Sequence, residues 1–229
     1  MLEFRILYLW AGKEKSGTKA FEDDGALVYS VGIDEEANLT ICKDIIDVSL
    51  YDLEQYGPFD FIWASPDCKV WSLANLHSRH WKKNEWSGKF EPQTPKAKKM
   101  IKRVKHTLWL IEQLQPTYWI LENPFGILRH MDFMKKYPLA EITYCAYGDK
   151  KRMKPTDLWG RFPRSWSPKT CDYGSKCHPA SPRGSSTGTQ ALDYDAKVRV
   201  PYGLSESIYN AVLSADPYGA AWFTLEDFV

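Results

Sequence analysis

Phe59-Asp60-Phe61-Ile62-Trp63-Ala64-Ser65-Pro66-Asp67-Cys68-Lys69-Val70-Trp71-Ser72 decides how the rest of this chain is read. Phe59, Phe61, Ile62 and Trp63 form a short apolar run rich in β-formers, which predicts a strand. Ser65-Pro66 breaks that strand into a loop carrying a single cysteine. Loops at the carboxyl ends of parallel strands line the site of an α/β protein, so a thiol here is well placed for chemistry. The competing reading is a buried structural residue, the commoner fate of an isolated cysteine.

A second stretch weighs against that competitor. Tyr118-Trp119-Ile120-Leu121-Glu122-Asn123-Pro124 is another apolar strand, and it ends in a carboxylate, an amide and a proline. Strand-Pro-x-Cys-x-x-x-Ser followed by strand-Glu-Asn-Pro resembles the C5-cytosine DNA methyltransferase family. The resemblance implies that Cys68 attacks C6 of cytosine, that Glu122 protonates N3, and that S-adenosyl-L-methionine is the methyl donor. Arg152-Met153-Lys154-Pro155-Thr156-Asp157-Leu158-Trp159 is similar to the compact phage-encoded branch of that family. There Lys150, Arg152 and Lys154 stand in the places of Gln-x-Arg-x-Arg, and Arg152 and Lys154 are expected at the cytosine O2 and an adjacent phosphate. Lys for Arg keeps the charge but loses the bidentate fork.

The amino-terminal stretch reads as a nucleotide site. Phe4 to Trp10 is a strand, Ala11-Gly12 a turn, and Lys13 to Phe21 a loop running into a helix, which is a Rossmann-like plan. A glycine turn alone is a weak signal. By the resemblance, Trp10, Ala11 and Gly12 match the start of an aromatic-x-Gly-x-Gly motif, and Ser16 and Gly17 join them in the expected cofactor set. Lys13-Glu14-Lys15 departs from its usual small residues. Asp34 ends a second strand, Leu27 to Asp34, at a distance suited to a carboxylate that binds ribose hydroxyls. A solvated strand-end acid beside Glu35-Glu36 is the alternative. The resemblance adds Asp44 and Ile45 around the adenine, and Pro66, to the cofactor set.

Further along, Val48 to Tyr56 predicts a short helix, and Leu73 to Pro95 reads as a mobile loop of aromatics and bases. Within it His77 and His80 lack further ligands nearby and read as ordinary polar residues. Thr94-Pro95 reads as an N-cap with proline in the first turn. Ile101, Val104, Leu108, Ile111 and Leu114 recur at helical spacing up to Pro116. Lys96, Lys98, Lys99, Lys102, Arg103 and Lys105 cover the rest of that helix, either a solvated face or one that meets phosphates. Arg199-Val200-Pro201 opens a last helix to Leu213, similar to the family's Ile-Pro-x-x-Leu motif.

Composition bounds these readings. The 229 residues suffice for one α/β domain and a small lobe, and the net charge of +1 says little. Its distribution says more. Glu22 to Asp60 holds eleven acids and one base, Arg79 to Lys105 ten bases and two acids, Cys145 to Val200 eleven bases and five acids. Such a division fits an anionic polymer bound on one side. No run of about eighteen apolar residues offers a membrane span, and no secretory signal is evident. Five scattered cysteines make no disulfide framework, so a reducing cytoplasm is expected, that of the host cell if the chain is phage-encoded. A monomer is expected.

The fold class expected is therefore α/β: a Rossmann-like S-adenosylmethionine-dependent methyltransferase fold with a mostly parallel sheet and a small irregular lobe. Residues 1–140 would form the catalytic domain, 141–200 a DNA-recognition lobe, and 201–229 a carboxyl-terminal helix returning to the catalytic domain. Cys171-x5-Cys177-His178 falls where apolar residues are scarce, and with Cys145 it suits a structural Zn²⁺. Free thiols in a loop are the alternative. Only 41 residues separate Trp159 from Pro201, so recognition should be short, with Arg183 or Gln190 as base readers.

The chemistry asks for each of these parts. Cytosine C5 is a poor nucleophile until a thiolate adds to C6, which needs Cys68 and nearby positive charge. A proton at N3 needs an acid, Glu122. The C5 position lies inside duplex DNA, so the cytosine must be flipped out. Asp67, where the family has proline, works against the thiolate. An amino methyltransferase would want an aromatic in the Ser65-Pro66 loop and leaves Glu122-Asn123 unexplained. A decayed DNA-binding relative, an RNA substrate, or transfer of a larger group stay open.

Overall fold

The structure, a computed structural model, describes residues 4–72, 80–150, 152–172, 174–179 and 192–215. Nine strands follow one another among them: β1 (Arg5–Leu9), β2 (Leu27–Gly32), β3 (Ile41–Cys42), β4 (Phe61–Ala64), β5 (Trp81–Lys83), β6 (Phe90–Pro92), β7 (Tyr118–Pro124), β8 (Leu139–Thr143) and β9 (Pro155–Arg161). Helices α1 (Lys19–Asp23), α2 (Leu50–Glu54), α3 (Pro95–Leu114), α4 (Tyr194–Val198) and α5 (Tyr202–Ser214) are interleaved with them. Seven strands form one sheet in the order β3-β2-β1-β4-β7-β9-β8. The first five run parallel, and β9 pairs antiparallel with both β7 and β8. The molecule is thus α/β with a mixed, mostly parallel sheet. Its strand order reverses between β1 and β4, the switch point at which such sheets bind ligands.

Both sheet faces are covered, which is why the central strands are apolar without alternation. Phe61, Ile62, Trp63 and Ala64 are all fully buried. One face packs Leu7, Leu9, Ile62 and Leu121 under α3, whose Val104, Leu108 and Ile111 supply the predicted stripe. The other packs Tyr8, Phe61, Trp63 and Ile120 under α1 and α5 through Phe21, Leu204 and Ile208. The Thr94 side chain accepts from the Ala97 N–H at 3.2 Å and caps α3, and Pro95 follows it.

Two expectations need correction. The sheet does not end near residue 140: that boundary falls inside β8, and β9 carries the sheet to Arg161. Thr156, Leu158 and Trp159 are β-formers, buried at full pairing length against β7, although the string reads as a charged motif. Residues 81–92, read as loop, form the antiparallel β5–β6 hairpin. Trp81 anchors it, stacked 5.1 Å from Trp71 and donating its indole N–H to the Val70 carbonyl at 2.7 Å. The hairpin tip leaves Trp86 exposed. His77, Arg183 and Gln190 lie outside the described residues. No helix among the described residues is long and apolar enough to cross a membrane.

Candidate active site

Strand register brings the site together. Leu9 lies level with Val31 on one side and Ala64 on the other, and Ala64 with Leu121. The loops that follow, at Trp10, Gly32, Ser65 and Glu122, therefore emerge at one edge of the sheet. Because β9 runs antiparallel and pairs Thr156 with Pro124, its start arrives at that same edge, with Lys154 just before it. The end of β8 does too, since Thr143 pairs with Pro155, and Tyr144 follows.

A cleft of about 310 Å³ opens there, at the lower end of the range for ligand pockets. Cys68, Glu122 and Lys154 line it together with Trp10, Ala11, Gly12, Ser16, Asp34, Asp44, Ile45 and Pro66. Gly17 and Arg152 do not. Gly17 is a packing position: a Cβ there would meet the Trp63 indole at 2.4 Å. Arg152 is buried and committed elsewhere. Its guanidinium pairs with Asp149 at 2.5 Å and donates to the Arg199 carbonyl at 2.7 Å and to that of Lys197. It is a tie between the β8–β9 connection and the chain leading into α5.

The cysteine loop and the Glu122 loop are joined three times. Asn123 Nδ2 donates to the Pro66 carbonyl at 2.8 Å. Ser72 bridges to Gly126, and the Ile127 N–H donates to the Trp71 carbonyl at 2.8 Å. Gly126 permits that approach, because a Cβ would lie 2.5 Å from the Trp71 oxygen. Asp67 folds back on its own loop, its Oδ1 accepting from the Lys69 N–H at 2.9 Å.

Charge at the site is set by burial. Burial pushes the Cys68 thiol above its ordinary pKa; Lys154 opposes this, while Glu122 and Asp67 add to it. Burial likewise lowers the Lys154 ammonium, with Glu122 pulling it back up. Glu122 is 5% exposed. Its Oε1 accepts from the Tyr144 hydroxyl at 2.8 Å, and burial and the carboxylate hold that phenol well above its usual pKa. Lys154 Nζ sits 4.3 Å over the Tyr144 ring. Tyr144 is the residue that the sequence reading missed. Its only signal was a position directly after a strand, next to Cys145.

The cofactor side fits a nucleotide-sized ligand. A Cβ on Gly12 would meet nothing within 4 Å, so the glycine leaves open space rather than filling a packing need. The charged Lys13-Glu14 pair does not block it. Lys13 is drawn to Glu36 at 2.6 Å and Glu14 to Arg199. Asp34 accepts from the Glu36 N–H at 3.1 Å and retains acceptor capacity for ribose hydroxyls. Asp44 is more committed: burial raises its carboxyl, but Arg103 and Lys99 hold it below the usual range. Trp10, Lys15 and Lys154, all in the cleft wall, have left-handed backbones with φ of 66°, 44° and 38°. Such residues cost about 1–3 kcal/mol each and cluster at functional sites. Val198 and Asp195 of α4, a helix absent from the sequence reading, also line the cleft.

Away from the cleft, Cys145, Cys171, Cys177 and His178 converge, with ligand atoms all within 4.8 Å of one another, as the sequence reading expected. The set could hold a metal ion.

No family model matches the chain. It is 28% identical over 186 residues to the "Probable DNA (cytosine-5)-methyltransferase" of Frog virus 3 (isolate Goorha), covering 80% of this chain and 82% of the viral one. Among solved structures it is similar to a candidate DNA modification methyltransferase encoded within an Escherichia coli prophage. That match has 15% identity, a TM-score of 0.46, and coverage of 69% of this chain and 46% of the other. A second is the methyltransferase subunit of a type I restriction-modification system from Streptococcus thermophilus, at 13% identity, TM-score 0.42, and coverage of 93% and 48%. The chain thus spans just under half the length of these two solved chains.

Proposed function

We propose that this chain transfers a methyl group from S-adenosylmethionine to C5 of cytosine in DNA through a covalent bond between Cys68 and C6. The observation that carries the reading is the meeting of a thiol, a buried carboxyl group and a lysine in one cleft whose other wall is the nucleotide turn. Its similarity to the viral relative over most of both chains supports the same substrate.

When bound, S-adenosylmethionine would supply an electrophilic methyl group, and Trp10, Gly12, Asp34, Ile45 and Pro66 are the residues that would hold it. Cys68 must ionise before it adds to C6, and its burial makes that costly in the free protein. Lys154, close to the thiol, favours the thiolate. Glu122 donates a proton to N3 as C6 is attacked, so the charge pushed into the ring is neutralised where it accumulates. Tyr144 fixes the carboxyl group that does this. After methylation, loss of the C5 proton to water, expulsion of the Cys68 thiolate and return of the N3 proton to Glu122 restore the aromatic ring. Reaching C5 this way requires the cytosine to leave the stack. Lys96, Lys98 and Lys102 are exposed on α3 and suit phosphate contacts; each contact would steepen the log–log salt dependence of duplex binding by about 0.9. Zinc at the Cys145 cluster would be structural on this reading, since none of its four residues lines the cleft. The chain acts as a monomer, with DNA as its partner.

Incubation with labelled S-adenosylmethionine and unmethylated duplex DNA, followed by nucleoside analysis, tests the reading. The expected product is 5-methylcytosine. Label in N4-methylcytosine or N6-methyladenine would replace the proposed chemistry, and label taken up only by RNA would replace the substrate.

A further inference from the structure

We infer that Cys145, Cys171, Cys177 and His178 bind one zinc ion, which pins the 169–178 segment to the corner carrying Tyr144. Three thiols and an imidazole are a structural zinc donor set, and four donors close the coordination shell. Cys171 Sγ lies 3.6 Å and Cys177 Sγ 3.3 Å from His178 Nδ1. Zinc–sulfur bonds of about 2.3 Å and zinc–nitrogen bonds of about 2.0 Å place tetrahedral donors roughly 3.5–3.8 Å apart. The Cys145 and Cys171 sulfurs approach to 2.7 Å, closer than that, yet well beyond the ~2.05 Å of a disulfide.

His178 supplies the second observation. It is 7% exposed, and its Nδ1 faces the Cys171 and Cys177 sulfurs. A buried imidazole that turns one ring nitrogen toward two thiols presents the donor atoms of a metal ligand set, and a cation between them accounts for that orientation.

The segment has no apolar core of its own. Lys169-Thr170-Cys171-Asp172-Tyr173-Gly174-Ser175-Lys176-Cys177-His178 contains no aliphatic side chain with which to build a core. A metal is one way to fix a stretch that cannot bury side chains of its own. Backbone contacts already lay it along the corner: the Thr143 N–H donates to the Lys169 carbonyl at 3.1 Å, the Cys171 N–H to Thr143 Oγ1 at 2.8 Å, and the Lys169 N–H to the Tyr147 hydroxyl at 2.9 Å. The ion would lock this alignment one residue from Tyr144, whose hydroxyl reaches Glu122. That last link rests on the proposed methyl transfer; zinc binding does not.

The test reads the metal without DNA or cofactor, so a failed methylation assay and a failed zinc assay are separate results. Chain purified from zinc-supplemented cells without chelator should carry about one zinc per molecule. Cys171→Ser and Cys177→Ser should each lower that at least fivefold, while Cys42→Ser leaves it unchanged. Cobalt loaded in place of zinc should give the intense visible bands of a tetrahedral site with thiolate-to-metal charge transfer. Zinc should shield three thiols from alkylation until chelator is added. Peptide mapping that finds a Cys145–Cys171 disulfide, or native chain holding less than a tenth of an equivalent of zinc after dialysis against it, would overturn the inference. Far-ultraviolet circular dichroism of each variant guards against general misfolding.

Discussion

The sheet has two halves that differ in how much of their purpose is local. In the parallel half, β1, β2, β4 and β7 each end in a loop that enters the cleft directly, so position in the strand decides position in the site. In the antiparallel half, β8 and β9 form an edge whose connection gives one residue, Lys154, to the cleft and another, Arg152, to the scaffold. Two residues apart in sequence, they share the Lys197 carbonyl and the Tyr144 ring, yet only Lys154 lines the cleft. In the parallel half, motif spacing is a guide to function. At the antiparallel edge, register decides, and register is a property of the fold.

The sharpest test of the parallel half is Cys68→Ala. Methyl transfer should fall below detection, with S-adenosylmethionine affinity within twofold of wild type by calorimetry. Cys68 carries the only thiol in the cleft among the described residues, whereas the turn after β1 comes from another loop. Duplex carrying 5-fluorocytosine should trap the wild-type protein as a covalent adduct on a denaturing gel, because fluorine blocks the final elimination. Turnover by the alanine variant would break the comparison at its base.

The antiparallel half is tested by separating its two cations. Arg152→Met removes a guanidinium that is 3% exposed and strands Asp149 and the Arg199 carbonyl, while the Lys197 carbonyl keeps Lys154 Nζ at 3.2 Å. Breaking a buried pair costs about 3–5 kcal/mol, which should appear as a lower denaturation midpoint. Lys154→Met should leave that midpoint much closer to wild type and slow transfer by roughly 10–100-fold, the worth of a charge-assisted contact. Equal stability losses in both would place Lys154 in the scaffold as well.

These differences mark what could be read in advance. The strands that end at Leu9, Gly32, Ala64 and Pro124 follow from apolar runs that stop at small or polar residues. Cys68, Glu122 and Asp34 stand at those ends and line one cleft. Their proposed parts come from position for Asp34 and from the family resemblance for Cys68 and Glu122. The α3 stripe and its Thr94 cap follow from spacing. Gly17 could not be read, because its place against the Trp63 ring depends on how a loop meets a strand 46 residues away. Arg152 could not, because its partners lie at residues 197 and 199. Tyr144 is likewise invisible until the β8–β9 register carries it to Glu122. The zinc donors could be listed from composition, but only the fold brings Cys145 to the other three.

Tyr144→Phe probes that long-range contact. Removing the hydroxyl leaves a buried carboxyl oxygen without its donor, at a cost of about 1–3 kcal/mol. If the contact orients Glu122 for proton transfer, kcat should fall roughly tenfold with KM little changed. A rise in KM alone would assign the tyrosine to cytosine binding instead.

The smallest expected effect lies within the parallel half, at Asp67. Its carboxylate adds to the burial that raises the Cys68 thiol, while Lys154 acts against both. Asparagine in its place can keep the side-chain oxygen that accepts the Lys69 N–H, so the loop should hold its shape. What disappears is one negative charge near the sulfur. A raised thiol pKa means little thiolate at neutral pH, so lowering it increases reactivity there and leaves the high-pH plateau unchanged. An ion at a few ångströms in a wet site is worth about 1 kcal/mol, or up to fivefold in thiolate fraction. Alkylation of Cys68 by iodoacetamide, followed by mass spectrometry of its peptide, should shift to lower pH in Asp67→Asn and to higher pH in Lys154→Met. The two shifts must have opposite signs if charge is their cause. A common direction would mean that both substitutions change the exposure of the thiol, and Asp67 would then be a residue of loop shape alone.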